Sequence, residues 1–113
     1  MPRTAIDFEV VRSLGMALPD VKDAAGRRGV ALKVKGRLMA CEATHKSAEP
    51  DSLMVRISPK RRSALLAQNA EAFYLTDHYE PYPAILVRLT RIKRLPLKEL
   101  LMESWEFVRE EAR

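Results

Sequence analysis

The sequence predicts an α+β fold: two layers, an antiparallel sheet with helices on one face, in the order α-β-β-β-α-β-β-α. Three observations lead there. Three segments carry apolar residues at the spacing of one helical face, and five short ones alternate apolar and polar residues with period two. Strands this short, joined by tight connections, pair antiparallel, and three helices with one apolar face each cover one side of a sheet most simply. The 113 residues fit one domain, 1–113, which buries roughly 65% of the surface its unfolded chain exposes. No repeat or linker divides it.

The first helix, residues 7–18, opens with Asp7 as N-cap, with Ile6 and Val11 placed as a hydrophobic staple. Ile6, Val10, Leu14 and Leu18 form its apolar face, and Pro19 stops it. Residues 19–29 hold Pro19, Gly26 and Gly29 without periodicity and read as loop. Val30 to Lys35 alternates, and Gly36-Arg37 suits a two-residue type II′ turn. That turn sets Lys35 opposite Leu38, Val34 opposite Met39, Leu32 opposite Cys41 and Val30 opposite Ala43, giving one apolar side. Thr44 to Asp51 is a polar connection, and Leu53, Val55 and Ile57 mark a third strand. Ser58-Pro59 starts a second helix that runs to about Asn69. Phe73 to Thr76 is a short strand, Ile85, Val87 and Leu89 mark a longer one, and Leu97, Leu101, Trp105 and Val108 stripe the last helix.

Composition excludes several classes of function. The chain is 47% hydrophobic and 31% charged, without a long apolar run or a signal-peptide pattern at its start, so a cytoplasmic protein with no membrane partner is expected. Its single cysteine, Cys41, allows no internal disulfide and completes no zinc pattern, so neither a metal nor a redox framework is expected. Glycines 26, 29 and 36 match no phosphate-binding loop, which argues against a nucleotide cofactor, and no other cofactor is implied. The net charge of +5 invites a polyanion. Residues 24–41 hold Arg27, Arg28, Lys33, Lys35 and Arg37 without an acid, and residues 81–98 are also acid-free. Period two sends Lys33, Lys35, Arg56 and Arg88 to the sheet face opposite the helices, either as ordinary solvated residues or as a basic binding face.

The stretch Tyr74-Leu-Thr-Asp-His-Tyr-Glu-Pro-Tyr-Pro-Ala-Ile-Leu-Val-Arg-Leu89 resembles the MmcQ/YjbR-like family of small bacterial proteins. So do Ala17-Leu18-Pro19, the hairpin Val34-Lys35-Gly36-Arg37 and the strand Val55-Arg56 with the helix after it, so the likeness covers nearly the whole chain. It implies helices on an antiparallel sheet, architecture akin to secretion chaperones, and a DNA-binding role attributed to a double-wing arrangement. Where relatives often carry aromatic residues around the first two strands, this chain has Arg27-Arg28-Gly29-Val30, Leu32 and Leu38-Met39, which favours charge over stacking as the means of recognition.

Tyr74, Thr76, Asp77, His78, Tyr79, Tyr82 and Pro83 are the densest group of functional side chains. Tyr74, His78, Tyr79 and Tyr82 are candidate ligand-binding groups. Consecutive residues of a strand point to opposite faces and no activated nucleophile is nearby, so no catalytic residue is expected. His45 reads as a solvated loop histidine, Trp105 as core, Cys41 as a buried thiol against Leu32, and the acidic run Glu103, Glu106, Glu110 and Glu111 as a solvated face. The leading expectation is a DNA-binding protein without enzymatic activity, touching phosphates through Arg27, Arg28, Lys33, Lys35, Arg37, Arg56 and Arg88. The alternative is a chaperone-like module that receives a protein partner on the exposed sheet or a strand edge. Oligomeric state is not legible.

Overall fold

A computed structural model describes residues 6–24 and 29–112. The order is α1 (Phe8–Met16), β1 (Val21–Asp23), β2 (Ala31–Val34), β3 (Arg37–Glu42), β4 (Ser52–Arg56), α2 (Pro59–Gln68), β5 (Phe73–Tyr74), β6 (Ala84–Arg88) and α3 (Arg94–Glu111). All pairings are antiparallel, in one sheet ordered β1-β2-β3-β4-β6-β5. The α+β class with helices on one face is therefore correct. One strand exceeds expectation, because β1 lies in the segment read as loop. Three residues are too few to display a period, and only pairing with β2 makes them a strand.

The caps form as the sequence indicates. Asp7 accepts from the Val10 N–H, Ser58 accepts from the Arg61 N–H, and Pro59 occupies the first position of α2. The helices pack on the face of Leu32, Val34, Leu53, Val55, Ile85 and Val87, contributing Val11, Leu65, Leu97, Leu101 and Val108. The approach of α1 is close: a methyl added at Gly15 would stand 2.3 Å from Leu32 Cδ1.

The β2–β3 hairpin differs from expectation in turn and register. Its turn residues are Lys35 and Gly36, with φ of 53° and 76°, the two positive values of a type I′ turn. Val34 therefore pairs with Arg37 and Lys33 with Leu38, and the register then shifts so that Leu32 pairs with Ala40 and Ala31 with Cys41. Met39 is the extra residue of a β-bulge. Both Met39 and Ala40 enter the helix-side core, and the alternation beyond them is reversed. Cys41 is consequently half-buried on the opposite face, paired with Met54 and packed beside Leu86, rather than fully buried against Leu32. α3 anchors the bulge, since the buried Ser104 hydroxyl donates to the Met39 carbonyl at 3.0 Å. The apolar stripe of that helix is as expected, although Trp105 is half-buried and donates Nε1–H to the Pro19 carbonyl.

Ser104→Ala leaves a buried carbonyl without its donor, so a loss of about 1–3 kcal/mol is expected in urea unfolding. An unchanged midpoint would show that the bulge needs no such anchor. Cys41 should react with a thiol reagent several-fold more slowly than in the unfolded chain, since burial and then the neighbouring Glu42 raise its pKa. Equal rates would contradict the packing beside Met54.

Candidate functional site

The expected basic face divides in two once its partners are in place. Arg27 and Arg28 lie outside the described residues. Arg56 and Arg88 pair with Ala84 and Ser52 on the face away from the helices, yet both are occupied by carboxylates. Arg88 holds Glu49 through two bonds of 2.9 and 2.8 Å, donates to the Ala70 and Glu71 carbonyls, and stands 4.3 Å over the Tyr74 ring. These bonds raise the Arg88 pKa and lower that of Glu49. Arg56 donates to Glu111 at 2.6 Å, and Arg37, beside Val34 on the helix side, approaches the same carboxylate at 3.5 Å. The Glu111 pKa is lowered chiefly by its hydrogen bond to Arg56. Stretches without acids in sequence are thus not without acids in space, and Glu111, like Glu103 on Arg61, holds an arginine rather than standing on a solvated face.

What remains is a lysine surface. Lys33 of β2 is directly opposite Lys22 of β1, and Lys35 projects from the adjoining turn. With Asp20 at the rim, they border a depression of about 560 Å³. Among the described residues none of the three lysines makes an ion pair. Lys22 was not anticipated, because its strand was read as loop.

The half of this face over β4 and β6 is covered. Residues 43–51 and 75–83 lie across Met54, Ala84 and Leu86 and form a second small core, so the sheet is not simply solvated there. Tyr74 projects from β5, its hydroxyl 2.6 Å from Ser52 Oγ and accepting from the Glu49 N–H at 2.8 Å. The Tyr79 hydroxyl accepts from the His45 N–H, and Ser47 bonds Thr76 at 2.8 Å. The His45 and His78 rings stack with centroids 3.5 Å apart and 5° between planes, and Tyr79 sets its edge against both. His45 is therefore part of the cluster, a juxtaposition for which the sequence carries no signal. Desolvation lowers its pKa, with the His78 and Lys46 charges adding to the effect. Among the described residues no hydrogen bond joins Asp77 to either histidine, and no group of three or more His, Cys, Asp or Glu is placed to hold a metal ion.

Beside the stack, a groove of about 310 Å³ opens between Tyr79 and Tyr82 on one side and Leu38 and Met54 on the other, with Arg56 and His78 also in its lining. Tyr82 is 55% exposed along it.

The lowered His45 pKa fixes the sign of a pH effect. As pH falls below about 6.5 the unfolded chain protonates this histidine before the folded one does, so its contribution is complete above that pH and lost as pH falls through the lower folded value. Urea unfolding at pH 7.5 and 5.5 should show a larger acid loss for the native chain than for His45→Phe. Equal losses would mean that the stacked imidazole is not under this constraint.

No family model matches the chain. Over 66 residues it is 38% identical to the uncharacterized protein Rv2570 of Mycobacterium tuberculosis, and equally to the uncharacterized protein Mb2600 of Mycobacterium bovis. These alignments cover 55% of the chain, and the chain spans about half the length of those relatives, 51%. The fold is similar to the crystal structure of the Deinococcus radiodurans protein DR2400, a DUF419 domain, with a TM-score of 0.75 and 20% identity over 100% of this chain and 86% of that one.

Proposed function

We propose that this chain is a non-catalytic binding protein of the YjbR/MmcQ type that docks on the phosphates of DNA through Lys22, Lys33 and Lys35. The likeness to a DUF419 domain supports the family, since DUF419 is the YjbR/MmcQ-like family. One observation carries the ligand class. Two lysines directly opposite on neighbouring strands repel each other, and among the described residues no carboxylate pairs with either to offset this. A phosphate backbone supplies the missing negative charge, and contacts of this kind bind without reading sequence. Arg56 and Arg88 already carry Glu111 and Glu49, so the phosphate contacts are assigned to the lysines. Cytoplasmic DNA is the expected setting, and among the described residues no helix is long and apolar enough to cross a membrane.

A second reading, a module that receives a protein segment, is favoured by the position of β1 as an outermost strand, where β2 is its one strand partner among the described residues. Salt separates the two, because counterion release weakens DNA binding steeply while an added strand responds little.

Anisotropy titrations of a labelled duplex at low salt should give saturable binding with a log-log salt slope of roughly −3, the value for about three phosphates. Lys22→Glu with Lys33→Glu should weaken every duplex about equally, and Lys98→Glu on α3 should leave binding unchanged. Absence of saturable binding at low salt, or indifference to the double reversal, would exclude DNA and leave the protein-segment reading.

A further inference from the structure

We propose that the groove beside the histidine stack is a binding site for a small, flat aromatic carboxylate, its ring between Met54 and Tyr82 and its carboxylate on Arg56. The site is independent of the lysine surface, and three features point to a built pocket rather than a soft patch.

Its volume of about 310 Å³ lies at the lower end of ligand sites, which run from about 300 to 1,000 Å³, and suits one or two fused rings. Its wall is held in place beforehand. Nη1 of Arg62 donates to the carbonyls of Glu80, Tyr82 and Ala84 at 3.2, 2.7 and 3.2 Å, fixing the backbone that carries Tyr82, while the hydrogen bond from the His45 N–H fixes Tyr79. Preorganised walls spare the ordering cost that otherwise opposes binding of a small ligand. The third feature is charge. Leu38, Met54, Pro83 and Ala84 make the groove largely apolar, but Arg56 also lines it, and Arg37 and Arg56 share the single carboxylate of Glu111. Arg56 gives Glu111 only its Nη2 and the Leu38 carbonyl a long bond of 3.5 Å from Nη1, so its guanidinium keeps donor capacity at this end of an apolar slot while Glu111 stays in place. An aromatic ring and an anion within one small molecule complement that pairing, and an arginine's planar fork suits a carboxylate.

The probe is 2-naphthoate, added to the full chain while the Met54 methyl resonance is followed by NMR. One-to-one saturation with a Kd of about 1 mM is expected for a ligand of this size. Uncharged 2-naphthylmethanol should bind about tenfold more weakly, the loss of one charge-assisted contact. Arg56→Gln should weaken naphthoate by a similar factor while leaving naphthylmethanol unchanged. Because Arg56→Gln also removes one of the two partners of Glu111, the exposed Tyr82→Ala serves as a second variant and should weaken both ligands. Failure of naphthoate to saturate, equal binding of acid and alcohol, or indifference to Tyr82→Ala would each overturn the assignment. So would tighter binding of an acetylated Asp-Trp-Asp peptide, which would make the groove a docking site for polypeptide.

Discussion

The bulge at Met39, anchored by Ser104, governs how the two faces of this sheet are composed. A strand's side-chain period is two, so one inserted residue sends everything beyond it to the other face. Met39 and Ala40 both enter the core beneath α3, and Leu38 and Cys41 fall on the far side. Regular pairing across this hairpin would have put Cys41 under the helices and Ala40 outside. With the bulge, Ala31, Cys41, Met54, Leu86 and Tyr74 form one row across the sheet away from the helices, and that row is the floor on which the two loops rest. Burying Ser104 is tolerated because its hydroxyl reaches the Met39 carbonyl, leaving neither group unpaired.

The same row explains why the far face divides. Its apolar half must be shielded, and residues 43–51 and 75–83 do so through the stacked histidines, the Tyr74 and Tyr79 hydroxyls and the Arg88–Glu49 pair. These contacts join segments distant in sequence; the Arg88–Glu49 bond alone spans 39 positions. The other half, over β1 and β2, carries Lys22 and Lys33 and needs no shield, since ammonium groups are well solvated. The far face therefore has a half covered by loops, with a groove along residues 78–84, beside an open half that carries lysines.

Local signals were legible where a single residue type performs a local task. Asp7 and Ser58 cap helices, Pro59 enters a first turn, and Leu97, Leu101 and Val108 repeat on one helical face, so the α+β class and the helix-bearing face of Leu32, Val34, Val55 and Val87 could be read directly. The Tyr74 to Pro83 segment stood out for its density of functional side chains. Three residues of β1 could not be distinguished from loop, and the turn fell at Lys35-Gly36, where a lysine at positive φ is uncommon and so not expected, rather than at Gly36-Arg37.

By itself, then, the sequence determined which segments are helical, which alternate and which residues are apolar enough for a core, because each of these follows from neighbours within a few positions. Register, the bulge and the pairing of charges were decided only by the tertiary structure. A hairpin of apolar residues accepts more than one register until a helix supplies a donor such as Ser104 to one of them. Likewise Arg56 and Arg88 were identifiable as basic residues of the far face, but Glu111 and Glu49 reach them only after the chain has closed on itself. Pairing across 55 and 39 positions leaves no trace in local composition, and it separates the arginines that hold this fold together from the lysines that remain open to solvent.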